Sequence, residues 1–144
     1  MAIEFVDGNR LTLLNCGAEF FPALIAAIDD ATAEVRLETY IFEDDASGRP
    51  VVEALKRAAA RGVAVRVLVD GFGAAAFADR LQPELQAAGV QALIYRRELA
   101  RFSLRRHRLR RLHRKLASMD GRIAFVGGIN IIDDMNQHGG RAPR

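Results

Sequence analysis

The sequence of 144 residues predicts an α/β fold whose mixed, mostly parallel β-sheet is flanked by helices on both faces. The first observation is that short runs rich in β-branched residues alternate with helix-length segments whose apolar residues recur every three or four positions. The second is an Asp120–Gly121 pair between two apolar runs, which adds an antiparallel hairpin. The length suits a single domain over residues 1–144.

The first third of the chain predicts two strands with a helix between them. A short apolar run indicates a strand over 11–15, and apolar residues at helical spacing predict a helix over 18–31. Pro22 is compatible with that helix because it falls within the first turn. Alternating apolar residues then predict a strand over 34–42.

The middle of the chain repeats this order. An alanine-rich helix is predicted over 51–60 and should end before Gly62, a residue type favoured just after helix ends. A buried strand over 63–69 follows, then a third helix over 75–88 and a strand over 90–95. This alternation favours βαβ units, whose ligands collect where parallel strands end.

The C-terminal hairpin carries the residues with the most distinctive chemistry. Asp120–Gly121 suits a two-residue turn that needs positive φ at both positions, between strands over 112–119 and 122–126. Counting outward from this turn places His113 opposite Gly128. Strand periodicity then puts His113 on the same face as residue 115, roughly 7 Å away at about 3.3 Å per residue.

A tetrahedral anion is the ligand that suits this arrangement. His113 and Lys115 supply an imidazole and an ammonium, and Asn130 supplies an amide just past the end of the hairpin. Gly127 and Gly128 have no side chains, so a ligand can approach the backbone opposite the imidazole.

Charge is concentrated in one part of the chain. Residues 96–115 contain ten basic residues and one acidic residue, a net charge of +9, which leaves −6 for the rest because the whole chain is +3. This basic block, most of which is the segment 96–112, indicates a polyanionic partner, either nucleic acid or an anionic membrane surface. The few aromatic residues nearby give little support to base stacking.

The basic segment has two interpretations. If it is helical, its apolar residues cluster on one side, and the segment could lie in a membrane interface with arginines on lipid phosphates. If it is a solvated loop, its arginines only keep the neighbouring site cationic. The apolar residues concerned are Leu99, Phe102, Leu109, Leu112 and Leu116.

Other features narrow the class of protein. No apolar run approaches the roughly 20 residues that a membrane-spanning helix needs. The N-terminal residues lack the layout of a signal peptide, and a single cysteine excludes an internal disulfide framework. We therefore expect a cytoplasmic protein.

The pattern H-x-K-x4-D-x6-G-G-x-N resembles the signature of the phospholipase D superfamily. Its positions are filled by His113, Lys115, Asp120, Gly127, Gly128 and Asn130. Residues 37–45, 67–73 and 122–130 are similar to bacterial cardiolipin synthases of the shorter type without transmembrane helices. The similarity corresponds to the N-terminal half of those enzymes, which carry a second H-x-K-D segment, and the two halves form one site.

The resemblance implies a two-step transfer of a phosphatidyl group. His113 would attack a phosphodiester phosphorus and form a phosphohistidine, while the other half's histidine protonates the departing alcohol. Lys115, Asn130 and Gly128 would bind the phosphoryl oxygens. This chemistry requires no cofactor or metal, and no cluster of His and Asp residues suggests a metal site.

For three carboxylates the sequence leaves more than one function possible. Asp120 belongs to the motif and is grouped with its catalytic residues. Its place in the turn, however, is about 20 Å along the strand from His113. We therefore expect its carboxylate to hold the turn or to bridge to a neighbouring strand. A catalytic histidine needs a partner that fixes its orientation. Glu38 is a candidate for that role or for a structural hydrogen bond, and Asp70 is expected to line the site.

The leading hypothesis is a cardiolipin synthase-like phosphatidyltransferase that acts on anionic phospholipids such as phosphatidylglycerol. Such an enzyme would bind peripherally to the inner face of the cell membrane and would need a second half or a homodimer partner. One alternative is a phospholipase D-like nuclease or phosphodiesterase that acts as a dimer. The other is an inactive half-enzyme or binding module.

Overall fold

A computed structural model describes residues 7–72, 77–96 and 111–133. The helices are α1 (Gly17–Asp30), α2 (Gly48–Ala60) and α3 (Gln82–Ala87), and a π-helical turn, Phe77–Leu81, leads into α3. The strands are β1 (Glu34–Thr39), β2 (Ala64–Asp70), β3 (Gln91–Tyr95), β4 (Leu116–Met119) and β5 (Ile123–Val126).

The five strands form one mixed sheet in the order β3-β2-β1-β4-β5. Strands β1, β2 and β3 are parallel, β4 is antiparallel to β1, and β5 is antiparallel to β4. The predicted α/β class and the mixed, mostly parallel sheet are therefore confirmed. Because β4 runs against β1, the residues that enter β4 lie beside the carboxyl ends of the parallel strands, where ligands collect in such sheets.

The core lies between one face of the sheet and the helices. Buried residues alternate along the strands, as at Val35 and Leu37 of β1, and pack with buried residues of the helices such as Ile28 and Leu55. On the opposite face Arg36 is exposed and Leu93 is 61% exposed. The described helices pack on one face of the sheet, so the expected cover of the opposite face stays a prediction.

Two predicted strands differ from the structure. Residues 11–15 form no strand, and Leu11 is 95% exposed, because no other strand among the described residues pairs with this segment. Strand β1 ends at Thr39, and Phe42 makes only an isolated bridge to Ile131.

The third helix is also irregular. Residues 77–81 form a π-helical turn before α3, which carries Pro83 at its start. A proline has no backbone N–H, so a regular hydrogen-bond ladder cannot continue through this position.

The hairpin has the predicted turn but a different register. Asp120 and Gly121 have φ values of 54° and 63°, and Arg122 N–H donates to the Met119 carbonyl over 3.0 Å. Met119 then pairs with Ile123, so Arg122 is an extra residue of the bulge type and the register shifts by one.

The shift changes which residues face each other near the site. Gly127 N–H donates to the Lys115 carbonyl over 3.2 Å, which places Gly127 opposite Lys115. The predicted pairing of His113 with Gly128 is therefore wrong. β4 begins at Leu116, so His113 precedes the strand.

Candidate active site

The segment that carries His113 is anchored by a buried carboxylate at the end of β2. Asp70 is 1% exposed, and its Oδ2 accepts a hydrogen bond of 2.7 Å from the Leu112 N–H. Its Oδ1 accepts one of 2.9 Å from the Phe72 N–H. Both donors are backbone groups, so Asp70 fixes the main chain beside His113, while its predicted role in lining the site stays a prediction.

His113 presents its imidazole to solvent. The residue is exposed, and its ring centroid lies 4.9 Å from that of Tyr40 with an interplanar angle of 53°. The contact supports the ring on one side while leaving it open to a ligand. An exposed imidazole in a defined position is the group that a nucleophilic mechanism requires.

Lys115 lies beside His113 but is buried. Only 9% of the residue is exposed, its Nζ donates to the His113 carbonyl over 3.2 Å, and the same Nζ lies 5.3 Å from the Tyr40 ring centroid. Lys115 forms no ion pair within the described part of the chain. Burial lowers the pKa of its ammonium because the charged form loses water. A desolvated cation attracts an incoming anion more strongly than a solvated one.

Tyr40 joins these two residues, although no role is predicted for it from the sequence. Its ring stacks with Phe72, with centroids 6.4 Å apart and planes 16° apart, and the Arg111 guanidinium lies 4.9 Å from the Phe72 ring centroid. Tyr40 directly follows β1 at the edge where parallel strands end, and this position is the sequence signal that could have identified it.

The two glycines of the motif leave space at the backbone. A Cβ atom added at Gly127 or Gly128 would meet no atom of the described residues within 4 Å. The Asn130 Oδ1 accepts a hydrogen bond of 3.3 Å from the Ile41 N–H, and Ile131 N–H donates to the Ile41 carbonyl over 3.1 Å. The loop of Asn130 is therefore held against the segment after β1, and the amide nitrogen of Asn130 supplies two N–H donors.

Asp120 lies in the turn, at the far end of β4 from His113. Its carboxylate accepts hydrogen bonds from the backbone N–H groups of Thr32, Ala33 and Glu34 over 2.8–2.9 Å and from the Thr32 hydroxyl over 3.1 Å. These bonds, first those from the backbone, lower the pKa of Asp120 well below its usual range. The contacts match the expected bridge to a neighbouring strand. A catalytic role for Asp120 stays a prediction of the motif.

Glu38 of β1 contacts Arg114, which lies in the segment that enters β4. Its Oε2 is buried and accepts no hydrogen bond of good geometry, although it lies 3.3 Å from the Arg114 Nε. We interpret this contact as an ion pair, because the distance is short while the donor direction is poor. The predicted role of Glu38 in orienting His113 stays a prediction.

An open cleft of about 450 Å³ lies along the segment that enters β4. It is lined by Leu68, Tyr95, Arg111, Leu112, His113 and Arg114. The lining combines apolar and cationic groups, which suits an anion attached to an apolar body.

The remaining site predictions concern metals and the membrane. In residues 7–72, 77–96 and 111–133, no three His, Cys, Asp or Glu residues come together as a metal site. Every helix in these ranges falls short of the length and apolar character that a membrane crossing requires. Most of the predicted basic segment 96–112 lies outside the described residues, which exclude 97–110.

The sequence matches a protein family over most of its length. A profile described as "Cardiolipin synthase, PLD-like domain" matches residues 24–138. The chain belongs to this family. A similar member is cardiolipin synthase B of Escherichia coli strain K12, with 38% identity over 143 residues, 99% of this chain and 35% of that protein. The chain therefore spans about a third of the length of this relative.

Two solved structures share the fold of this cardiolipin synthase-family domain. One is Nuc of Salmonella typhimurium, a phospholipase D family member, with a TM-score of 0.58 and 21% identity over 77% of this chain and 64% of that chain. The other is NucT of Helicobacter pylori, with a TM-score of 0.53 and 18% identity over 81% of this chain and 69% of that chain. At these identities the likeness concerns the fold alone.

Proposed function

We propose that this chain is the first half of a phosphatidyltransferase that joins anionic phospholipids, as in the synthesis of cardiolipin from phosphatidylglycerol. The main support is the pairing of an exposed imidazole with a desolvated ammonium at the edge where the parallel strands end. His113 and Lys115 both contact the ring of Tyr40, and Lys115 has no competing ion pair among the described residues. Family membership makes a phospholipid phosphodiester the natural substrate.

In the proposed reaction a nitrogen of His113 attacks the phosphorus of a phosphodiester. The new N–P bond forms as the bond from phosphorus to the departing alcohol breaks, and that alcohol takes a proton from the second half's histidine. A second alcohol then gives its proton to the second half's histidine. Its oxygen bonds to the phosphorus as the N–P bond to His113 breaks. Lys115, Asn130 and the open backbone at Gly128 would stabilise the charge on the phosphoryl oxygens.

The proposed reaction needs a second half. One histidine, His113, lies among the described residues, and the chain spans 35% of the length of the Escherichia coli relative. A complete site would come from a second H-x-K segment or from a homodimer partner. We expect the assembled enzyme to bind peripherally to the inner membrane surface, because the basic block at 96–115 suits anionic headgroups.

The deciding experiment uses phosphatidylglycerol labelled with ³²P in vesicles. After incubation and quenching in alkaline detergent at intervals, the assembly that contains both halves should carry a label on this chain that is stable to alkali and lost in acid. His113→Ala should remove the label, while Asp79→Asn, a change at an exposed residue outside the site, should retain it. A label that persists in His113→Ala contradicts the proposal.

A nuclease or phosphodiesterase dimer is the second candidate function, supported by the same basic block. In that case the protein would cut DNA with a steep dependence on salt, because released counterions dominate the binding of basic proteins to DNA. Phosphatidylglycerol vesicles would remain unchanged. Products from the two substrates, compared at matched protein and salt concentrations, separate the two functions.

A further inference from the structure

We propose that Tyr40 is a positioning residue for the reaction at His113, because its aromatic ring holds both the imidazole of His113 and the ammonium of Lys115. This inference rests on the proposed function, since it concerns the same two groups. Neither the motif nor the family match assigns a role to Tyr40. Its position is supported by contacts with two segments that are distant from it in sequence, one at Phe72 and one at His113 and Lys115.

The ring of Tyr40 meets both functional side chains. The His113 ring centroid is 4.9 Å away with the planes tilted by 53°, and the Lys115 Nζ is 5.3 Å from the Tyr40 centroid. A cation over an aromatic face is attracted by the negative charge on that face, and this attraction is stronger where water is excluded. Lys115 is buried and forms no ion pair among the described residues, so the Tyr40 ring and the His113 carbonyl, 3.2 Å from Nζ, are the contacts that attract its charge.

The ring is itself held in place. Phe72 stacks nearly parallel to Tyr40, with a centroid distance of 6.4 Å, although Phe72 is 66% exposed. The backbone N–H of Phe72 donates to the buried Asp70, which also holds Leu112 beside His113. Asp70 therefore fixes both the aromatic stack and the segment that carries the histidine.

The aromatic ring, not the hydroxyl, makes the contacts. The Tyr40 side chain forms no hydrogen bond through its oxygen to any described residue. Tyr40→Phe should therefore preserve the function of the residue, while Tyr40→Leu should remove it. A shape-matched comparison places pentafluorophenylalanine at position 40, because fluorination reverses the charge on the ring face while keeping the ring.

The first measurement is an NMR comparison of the unmodified 144-residue chain with these variants. Ring currents from Tyr40 should displace the side-chain proton signals of His113 and Lys115, and Tyr40→Phe should keep these displacements. Tyr40→Leu should move both sets of signals toward the values of unstructured peptides. If the Leu variant leaves both sets unchanged, the positioning role is wrong.

The second measurement is the affinity of the assembly of both halves, with each variant in this chain, for orthovanadate, a mimic of the phosphoryl group. We expect Tyr40→Phe to bind like the unmodified chain, and Tyr40→Leu and the pentafluoro variant to bind about tenfold more weakly. Equal affinity of the Phe and pentafluoro variants contradicts the inference, even if the Leu variant fails to fold. Failure of the unmodified assembly of both halves to bind vanadate contradicts the proposed function instead, while the NMR displacements still decide the position of the ring.

Discussion

The two ends of the β4–β5 hairpin differ in how completely their polar groups are paired. At the turn, one carboxylate, that of Asp120, accepts four hydrogen bonds from Thr32, Ala33 and Glu34. At the other end, the imidazole of His113 is exposed and the ammonium of Lys115 is desolvated, and no atom in the described part of the chain lies within 4 Å of a Cβ added at Gly127. The carboxylate at the turn already has its hydrogen-bond partners, while the groups at the opposite end can still bind a ligand.

This difference shows that the residues of one sequence motif have two kinds of role. His113, Lys115 and Asp120 are read together as a signature, yet only the first two share contacts in the structure. Asp120 bonds to the start of β1, at the far end of the strand pair. A motif can therefore combine residues of the site with a residue that keeps the supporting hairpin in place.

The largest expected effect is the loss of transfer in His113→Gln. If the exposed end of the hairpin is the reactive one, the rate of phosphatidyl transfer by the assembly of both halves should fall on the order of 10³-fold or more, because the attacking nitrogen is replaced by a weak nucleophile. The melting temperature should not change, since His113 is exposed. A rate within tenfold of the unmodified protein would make both ends of the hairpin merely structural.

The second effect is a loss of stability in Asp120→Asn. The melting temperature at pH 7 should fall by several degrees, because an amide oxygen replaces a carboxylate that accepts bonds from three backbone N–H groups. Asp79→Asn is the matched control, since Asp79 is exposed and lies outside the turn. An equal fall in both variants would show that only net charge matters.

The same variant makes a prediction about pH. The folded chain holds the pKa of Asp120 below the ordinary value of 3.8. The stabilisation is therefore complete above that value and is lost as the pH falls toward the folded pKa. The stability difference between the unmodified chain and Asp120→Asn should shrink below about pH 4, as measured by urea unfolding at a series of pH values. A difference that is constant from pH 7 to pH 3 contradicts the assigned hydrogen bonds.

A smaller effect is expected at the glycines opposite Lys115. Gly127→Ala and Gly128→Ala should leave stability unchanged, because an added Cβ meets no atom within 4 Å among residues 7–72, 77–96 and 111–133. Both variants should weaken vanadate binding by about tenfold, because the added methyl group occupies the ligand's space.

Gly62→Ala is the converse control for these glycine variants. Gly62 has equally open surroundings but a φ of +88°, so alanine there should cost about 1 kcal/mol of stability without affecting vanadate binding. Vanadate binding that is unaffected in all three variants would show that the ligand does not approach the backbone.

The smallest effect concerns the charge of Lys115. Its pKa in the folded chain lies below the ordinary value of 10.5, so the unfolded chain retains a proton on this group over a pH range where the folded chain has lost it. The free energy of unfolding should therefore rise with pH up to about 10.5, and Lys115→Met should abolish this rise and slightly increase stability at neutral pH. Calorimetry of the two proteins between pH 7 and pH 10.5 tests the sign, and a parallel dependence in both would contradict it.

Local chemistry made much of the fold predictable. The positive φ of Asp120 and Gly121 follows from the residue types that such a turn accepts, and the alternating strands and helices follow from apolar periodicity. The strand expected over 11–15 shows the limit of this reasoning. A strand forms only where a neighbour pairs with it, and apolar composition does not determine whether a neighbour is present.

The register of the hairpin was less predictable. The turn type allows either a two-residue loop or an added bulge, and the structure contains the bulge at Arg122. That single residue decides which glycine lies opposite Lys115. Asp120 of the same turn contacts the start of β1, which is more than eighty positions away in sequence.

By itself, the sequence determined the fold class, the hairpin turn and the reactive residue types, because these depend on side-chain chemistry and spacing over a few neighbouring residues. Only the tertiary structure decided that Asp70 holds Leu112, that Glu38 faces Arg114, and that Tyr40 contacts His113 and Lys115. Those contacts join distant segments through the order and direction of the strands. They arise when β1, β2 and β4 come together, so they cannot be deduced from any one segment alone.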